Sequence, residues 1–223
     1  MFHAIVFDLD GTLLNTLDDI TDAVNDTMKL FGFSGHPIEK VKYMVGDGTD
    51  KLLERAWAGL SLSKDQKADF KKIYLEKYKL YQTRKTRPYP EVEDLLLRAQ
   101  RRGIGLFVFS NKPDFLAQEV VRHYFKDVSF AGILGQKPGA LPKPDPTSLL
   151  AMLQDKNVDL STVVFVGDSD VDILTARNAQ IKSIGVTWGF RDRDVLKKAQ
   201  ADYIVSEPEE IYDLCIDQRK TCL

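Results

Sequence analysis

Five short apolar runs recur along this chain, each closing on small or polar residues. They are HAIVFDL (3–9), IGLFVFS (104–110), VSFAGIL (128–134), TVVFVGD (162–168) and IKSIGVT (181–187). Most are continuous rather than alternating, which is the pattern of parallel strands covered on both faces. Helical periods lie between them. EVEDLLLRAQRR closes on Gly103, and PDFLAQEVVRHYF follows the second run. DPTSLLAMLQDK opens with Asp145 as N-cap and Pro146 at the first helical position, and DVDILTARNAQ follows the fourth run. Strand alternating with helix predicts an α/β fold, a doubly wound parallel sheet whose ligands bind at the carboxyl ends of the strands.

One stretch breaks the alternation. From about residue 15 to residue 85 only helical patterns occur, so the chain divides into a core of residues 1–14 and 86–223 and a helical insert of residues 15–85. The insert begins with TLDDITDAVNDTMKLFG, read as a Thr16-x-x-Asp19 capping box with Leu17, Ile20, Val24 and Phe31 on one face and Gly32 as the stop. GTDKLLERAWAG and the highly charged SKDQKADFKKIYLEKYKLYQ follow, and the tract from Arg84 to Arg87 reads as a solvated hinge. An insert at the carboxyl end of a strand is well placed to cover a site there. Within it, MVGDGTDKLL carries Gly46 and Gly48 on either side of Asp47, just ahead of a helix. This loop is expected to approach the site and read the substrate, glycine allowing close backbone approach. The first amides of that helix are suited to a carboxylate, provided Asp47 points away.

Composition narrows the partners. A net charge of −2 gives no reason to expect nucleic acid or an anionic membrane surface, and no apolar run is long enough to span a bilayer. The N-terminus has neither the basic region nor the cleavage site of a signal peptide. Cys215 and Cys222 form no disulfide framework or metal knuckle, and His3, His36 and His123 are scattered. The expectation is a cytoplasmic protein, monomer or homodimer.

The chemistry concentrates at strand ends. Asp8 and Asp10, in FDLDGT, end the first run; Asp168, Asp170 and Asp172, in FVGDSDVD, end the fourth. If these strands are neighbours, Asp8, Asp10 and Asp168 converge, with Asp172 close by. Crowded carboxylates repel and take up protons unless a cation compensates them, and a set of oxygen ligands suits Mg²⁺. FVFSNK brings Ser110, Asn111 and Lys112 to the start of a helix, a natural anion seat, and LPKPDP brings Lys143, held between two prolines, toward the same edge. Lys137 is a rival, less favoured because it sits in a Gly-Pro loop.

The ordered set DLDGT, SNK, KPDP and GDSDVD resembles the haloacid dehalogenase superfamily of aspartyl phosphotransferases. The helical insert resembles its C1 cap, and GDSDVDILTARNAQIKSIGVTWGF resembles its phosphoglycolate phosphatase branch. The resemblance implies a Rossmann-like core and a Mg²⁺-dependent phosphatase that hydrolyses a small phosphate monoester, 2-phosphoglycolate first, through an aspartyl-phosphate. It implies Asp8 as nucleophile, Asp10 as acid and base, and Lys143 as the neutralising cation. It implies that Thr12 and Ser110 bind phosphate with Asn111 close by; the loop of Gly46 and Gly48 is the part expected to face the substrate. It also implies that Asp8, the backbone carbonyl of Asp10, and Asp168 hold the metal, while Asp172 ligates it, directly or through water, or orients Lys143. The alternatives on the same fold are a β-phosphoglucomutase-like sugar phosphomutase and a pyrophosphatase or nucleotidase.

Overall fold

The computed structural model describes residues 2–215. In chain order the first part comprises β1 (Ala4–Phe7), β2 (Leu14–Asn15), α1 (Leu17–Leu30), α2 (Ile38–Lys42), α3 (Thr49–Ala56) and α4 (Lys64–Tyr81). Then follow β3 (Arg87–Pro88), α5 (Val92–Arg101), β4 (Gly105–Pro113), α6 (Asp114–Tyr124), β5 (Gly132–Gln136) and α7 (Thr147–Asp155). The chain continues with β6 (Val163–Gly167), α8 (Asp170–Asn178), β7 (Lys182–Val186), α9 (Arg193–Lys198), β8 (Tyr203–Val205) and α10 (Pro208–Cys215).

Six strands form one sheet in the order β5-β4-β1-β6-β7-β8, and every pairing is parallel. The two faces of the sheet bury different residues because successive side chains on a strand point to opposite sides. Ile5 and Phe7 of β1 pack with Val108, Val166 and the apolar faces of α5, α6 and α10. Ala4 and Val6 pack on the other face with Phe107, Phe165 and Leu149 and Leu153 of α7. Helices therefore cover both faces, which is why the strand sequences read as continuous apolar runs. The chain is a doubly wound α/β protein, and β1 lies at the point where the strand order turns, flanked by β4 and β6.

The four helices α1 to α4 form a separate cluster. Ile20, Val24, Met28, Leu53, Phe70 and Tyr74 are its centre, and Leu116 and Phe190 join it from the main body. Phe70 makes an edge-on contact with Trp57 at a centroid distance of 5.3 Å, within the favourable range for aromatic pairs. Where the chain leaves and re-enters the main body, β2 and β3 pair antiparallel, Leu14 opposite Pro88 and Asn15 opposite Arg87.

Four expectations from the sequence change. The Thr16–Asp19 capping box does not form: Thr16 makes no side-chain cap. Asp19 turns to the returning strand instead, accepting from Lys85 N and from Thr86 N and Oγ1. The Arg84–Arg87 tract is thus only partly solvated, because Thr86 is fully buried on that carboxylate. The helix expected from Pro146 begins at Thr147, and Asp145 accepts from Thr147 N at 2.9 Å. The strand expected at 128–134 occupies 132–136, a partly exposed sheet edge, and β8, only three residues long, closes the other edge.

Candidate active site

The switch between β4, β1 and β6 sets the positions of the polar groups. Asp8 follows β1 directly, and its amide donates to Val166 O of β6 at 2.9 Å. Asp168 follows β6 directly. Adjacent parallel strands thus end side by side on carboxylates. Gly11, at φ +90°, turns the chain back over the site; a Cβ there would lie 2.5 Å from Asp168 Oδ2, so only glycine fits.

Asp8, Asp168 and Asp172 each offer a carboxylate oxygen within 4.8 Å of the others, and all three are buried. Removal from water pushes the Asp8 carboxyl up to about 7 despite the opposing pull of Lys143. Burial, followed by repulsion from Asp172 and Asp8, pushes Asp168 to about 8. Three buried hard oxygen donors with two raised carboxyls are a donor set that a divalent cation would relieve. Asp168 is otherwise fixed by the Phe190 amide at 2.6 Å and by Thr12 Oγ1 at 3.4 Å.

Lys143 is the cation of the cluster. Its Nζ lies 2.8 Å from Asp8 Oδ1 and 2.6 Å from Asp172 Oδ1. Burial works against its charge, but the two carboxylates outweigh it and hold its pKa above that of ordinary lysine. The rival Lys137 is exposed on the surface. Asp172 has both oxygens engaged, Oδ1 with Lys143 and Oδ2 with the amide and hydroxyl of Ser169. Ser169 and Asp172 form the capping box of α8, so the helix start itself orients the carboxylate that holds Lys143.

Ser110, Asn111 and Lys112 end β4 beside Asp8. Asn111 serves as a brace: Oδ1 accepts from Lys143 N at 2.7 Å, and Nδ2 donates to Lys143 O at 3.3 Å and to Gly46 O at 3.0 Å. Both donors of that amide are therefore committed, one of them to the insert. Gly46 and Gly48 sit at φ +123° and +87°, and a Cβ on Gly48 would lie 3.4 Å from Asn111 O. The charge of Asp47 is turned away, onto Arg55 Nη2 at 2.5 Å.

Lys112, named in the sequence only as part of the anion seat, and Tyr78 and Arg191, given no role there, stand at the same place. Lys112 Nζ donates to Asp10 Oδ1 at 2.9 Å and also to the Tyr78 hydroxyl of α4. Asp10 thus faces Lys112 and is not part of the carboxylate cluster. Arg191 reaches from the main body to Lys42 O at 2.9 Å and Val45 O at 2.6 Å, holding the loop that leads to Gly46. The signals were present: a lysine closing a buried strand, and Phe70, Tyr74 and Tyr78 spaced four apart on an otherwise charged helix. Together Asp8, Asp10, Gly46, Gly48, Tyr74, Tyr78 and Ser110 to Lys112 line a cavity of about 40 Å³ between insert and sheet.

A doubly wound sheet with clustered carboxylates and a buried lysine at its switch point is an arrangement suited to phosphoryl chemistry. The family profile of the haloacid dehalogenase-like hydrolases matches residues 5–186, and the chain belongs to that family. It is 34% identical over 220 residues to the phosphoglycolate phosphatase of Neisseria meningitidis, covering 95% of this chain and 92% of that one. A solved Lactobacillus delbrueckii subsp. bulgaricus protein superposes with a TM-score of 0.89 at 30% identity, covering 96% of this chain and 98% of the other. A haloacid dehalogenase-like family hydrolase from Streptococcus pneumoniae superposes at 0.84 with 28% identity, covering 96% and 98%. Among the described residues, no helix is long and apolar enough to cross a membrane.

Proposed function

We propose that this enzyme is a Mg²⁺-dependent phosphatase acting on 2-phosphoglycolate through a phosphoryl group carried on Asp8. The observation that carries the reading is the Asp8 carboxylate, buried and set 2.8 Å from Lys143 Nζ on the wall of the cavity. The name of the Neisseria meningitidis relative supports the substrate.

An Asp8 oxygen attacks phosphorus, and the bond from phosphorus to the leaving oxygen breaks. Asp10 delivers the proton that the leaving oxygen needs, then takes one from the water that cleaves the aspartyl-phosphate. Lys143 offsets the charge on Asp8 and on the phosphoryl oxygens, and Asp172 keeps it in place. Thr12 and Ser110 donate to the phosphoryl group, while Asn111 fixes the backbone of Lys143. Asp8, the backbone carbonyl of Asp10, and Asp168 would hold the Mg²⁺, with Asp172 beside them. When bound, the ion supplies positive charge against the phosphoryl oxygens and makes the proximity of the carboxylates tolerable.

Residues 15–85 act as a cap. The insert swings on the β2–β3 ribbon, opening to admit substrate and closing on a small one. The test is kcat/KM with Mg²⁺ across 2-phosphoglycolate, pyrophosphate, nucleoside monophosphates and hexose phosphates. The expected result is a lead for 2-phosphoglycolate. A lead of more than about tenfold for any competitor, near 1.4 kcal/mol in transition-state binding, overturns the substrate.

A further inference from the structure

Lys112 is a buried cation that the proposed chemistry does not use. Its side chain is 1% exposed, against 13% for that of its partner Asp10. Lysine is rarely buried so completely without a task, because its charge gives up a strong hydration shell. Lys143 already serves Asp8 and Asp172, so a second buried lysine is not needed to balance that cluster. Lys112 lies instead on the leaving-group side, toward the insert, with its Nζ 4.4 Å from the Tyr78 ring centre.

The surroundings of Lys112 define what it can receive. Among the described residues that line the cavity it is the one cation. Facing it from the insert are Val45, Leu52 and the Gly46–Gly48 loop, whose single carboxylate, Asp47, is bound to Arg55. The leaving-group space therefore has apolar walls, one ammonium group and the phenol of Tyr78. Lys112 Nζ also lies within 2.9 Å of the Asp10 carboxylate, the group placed to protonate the leaving oxygen. A negative group on Lys112 must then lie close to that oxygen.

We infer that Lys112, seated against Tyr78, is the specificity-determining residue that receives a carboxylate on the carbon bearing the phosphate ester oxygen. This rests on the phosphatase reading and deepens it, since it gives the substrate class a physical reason. In such an ester the carboxylate carbon is two bonds from the ester oxygen. Asp10 and Lys112, already in contact, reach the two groups at once. An ammonium–carboxylate contact in a water-poor pocket is charge-assisted and directional. Hexose and nucleoside phosphates have no such carboxylate and leave Lys112 with Asp10 alone. Tyr78 comes from the insert, so the seat is complete only when insert and sheet are together.

The test compares 2-phosphoglycolate with 2-hydroxyethyl phosphate, an ester of similar size that replaces the carboxylate with a neutral alcohol. The wild-type enzyme is expected to favour the carboxylate ester. Lys112→Met is expected to shrink that preference by about 30-fold or more, mostly through KM, and Lys112→Arg to retain part of it. Tyr78→Phe, which keeps the charge and removes the hydroxyl contact, is expected to shrink it by about threefold to tenfold. It also serves if Lys112→Met does not fold. A wild-type enzyme indifferent to the carboxylate, or variants that lose equally on both esters, would show Lys112 to be only a counter-ion for Asp10 and overturn the inference. Preference for a sugar or nucleotide ester overturns the proposed substrate, while the ratio between the two small esters still decides the role of Lys112.

Discussion

Asp19 and Thr86, 67 residues apart in the chain, are joined twice: the Thr86 amide and hydroxyl both donate to Asp19 Oδ2 at 2.8 Å. Lys85 N adds bonds of 3.0 Å to each carboxylate oxygen. The first helix of the insert is thereby clasped to the strand on which the chain returns to the sheet. Asp19→Ala leaves two backbone amides and a hydroxyl without their acceptor at a buried position. The expected loss is about 2–4 kcal/mol, read as a lower denaturation midpoint, with a smaller loss for Asp19→Asn. Unchanged stability in Asp19→Ala would show that solvent satisfies those donors and that the clasp does not form.

The raised carboxyls of Asp8 and Asp168 give a pH dependence with a defined sign. Their pKa values rise from 3.8 in the reference state to about 7 and about 8. The folded metal-free protein therefore binds more protons than the unfolded chain across that interval, so these groups lower stability as pH rises through it. Thermal midpoints in a chelator are expected to fall from about pH 5 to about pH 8. Asp8→Asn should flatten the fall and raise the midpoint at the upper end. Added Mg²⁺ should stabilise more at the upper end than at the lower, because the ion competes with protons for these oxygens. A midpoint that Asp8→Asn and Mg²⁺ leave unmoved would contradict the crowding.

Gly48 joins the insert to the site through its backbone. It holds φ +87°, and a side chain would press on Asn111 O at 3.4 Å. Gly48→Val is expected to lower kcat/KM on 2-phosphoglycolate by about a hundredfold, and by clearly less on an undemanding aryl phosphate. Equal losses on both would mean that the loop supports closure in general and does not read the leaving group.

The legibility of the site follows from where its parts lie in the chain. Asp8 and Asp168 each end an apolar strand, so local sequence announced them, and parallel pairing of β1 with β6 did the rest. Lys143 was readable because two prolines and a helix start fixed its place. Asp19 was misread because its partners are 66 and 67 residues away, while a local capping pattern offered itself first. The side-chain partners of Lys112 and Tyr78 were hidden for the same reason: one stood in the sequence as the end of a strand at the anion seat, the other within a highly charged helix. Both acquire meaning only when the insert folds over the sheet. Arg191 is the third such case, since its acceptors are backbone carbonyls that carry no sequence signal.

Phosphate release from 2-phosphoglycolate in Mg²⁺, measured side by side for the wild-type enzyme and Asp8→Asn, bears most directly on the proposed chemistry. Wild-type protein should release phosphate steadily. Asp8→Asn should be slower by about a thousandfold or more, because the attacking atom is gone while Lys143, Asp168 and Asp172 remain. Its midpoint at neutral pH should equal or exceed that of the wild type, showing that the loss is not one of folding. Substantial turnover by Asp8→Asn, in protein shown by mass spectrometry to be free of reversion to aspartate, would contradict a phosphoryl group carried on Asp8.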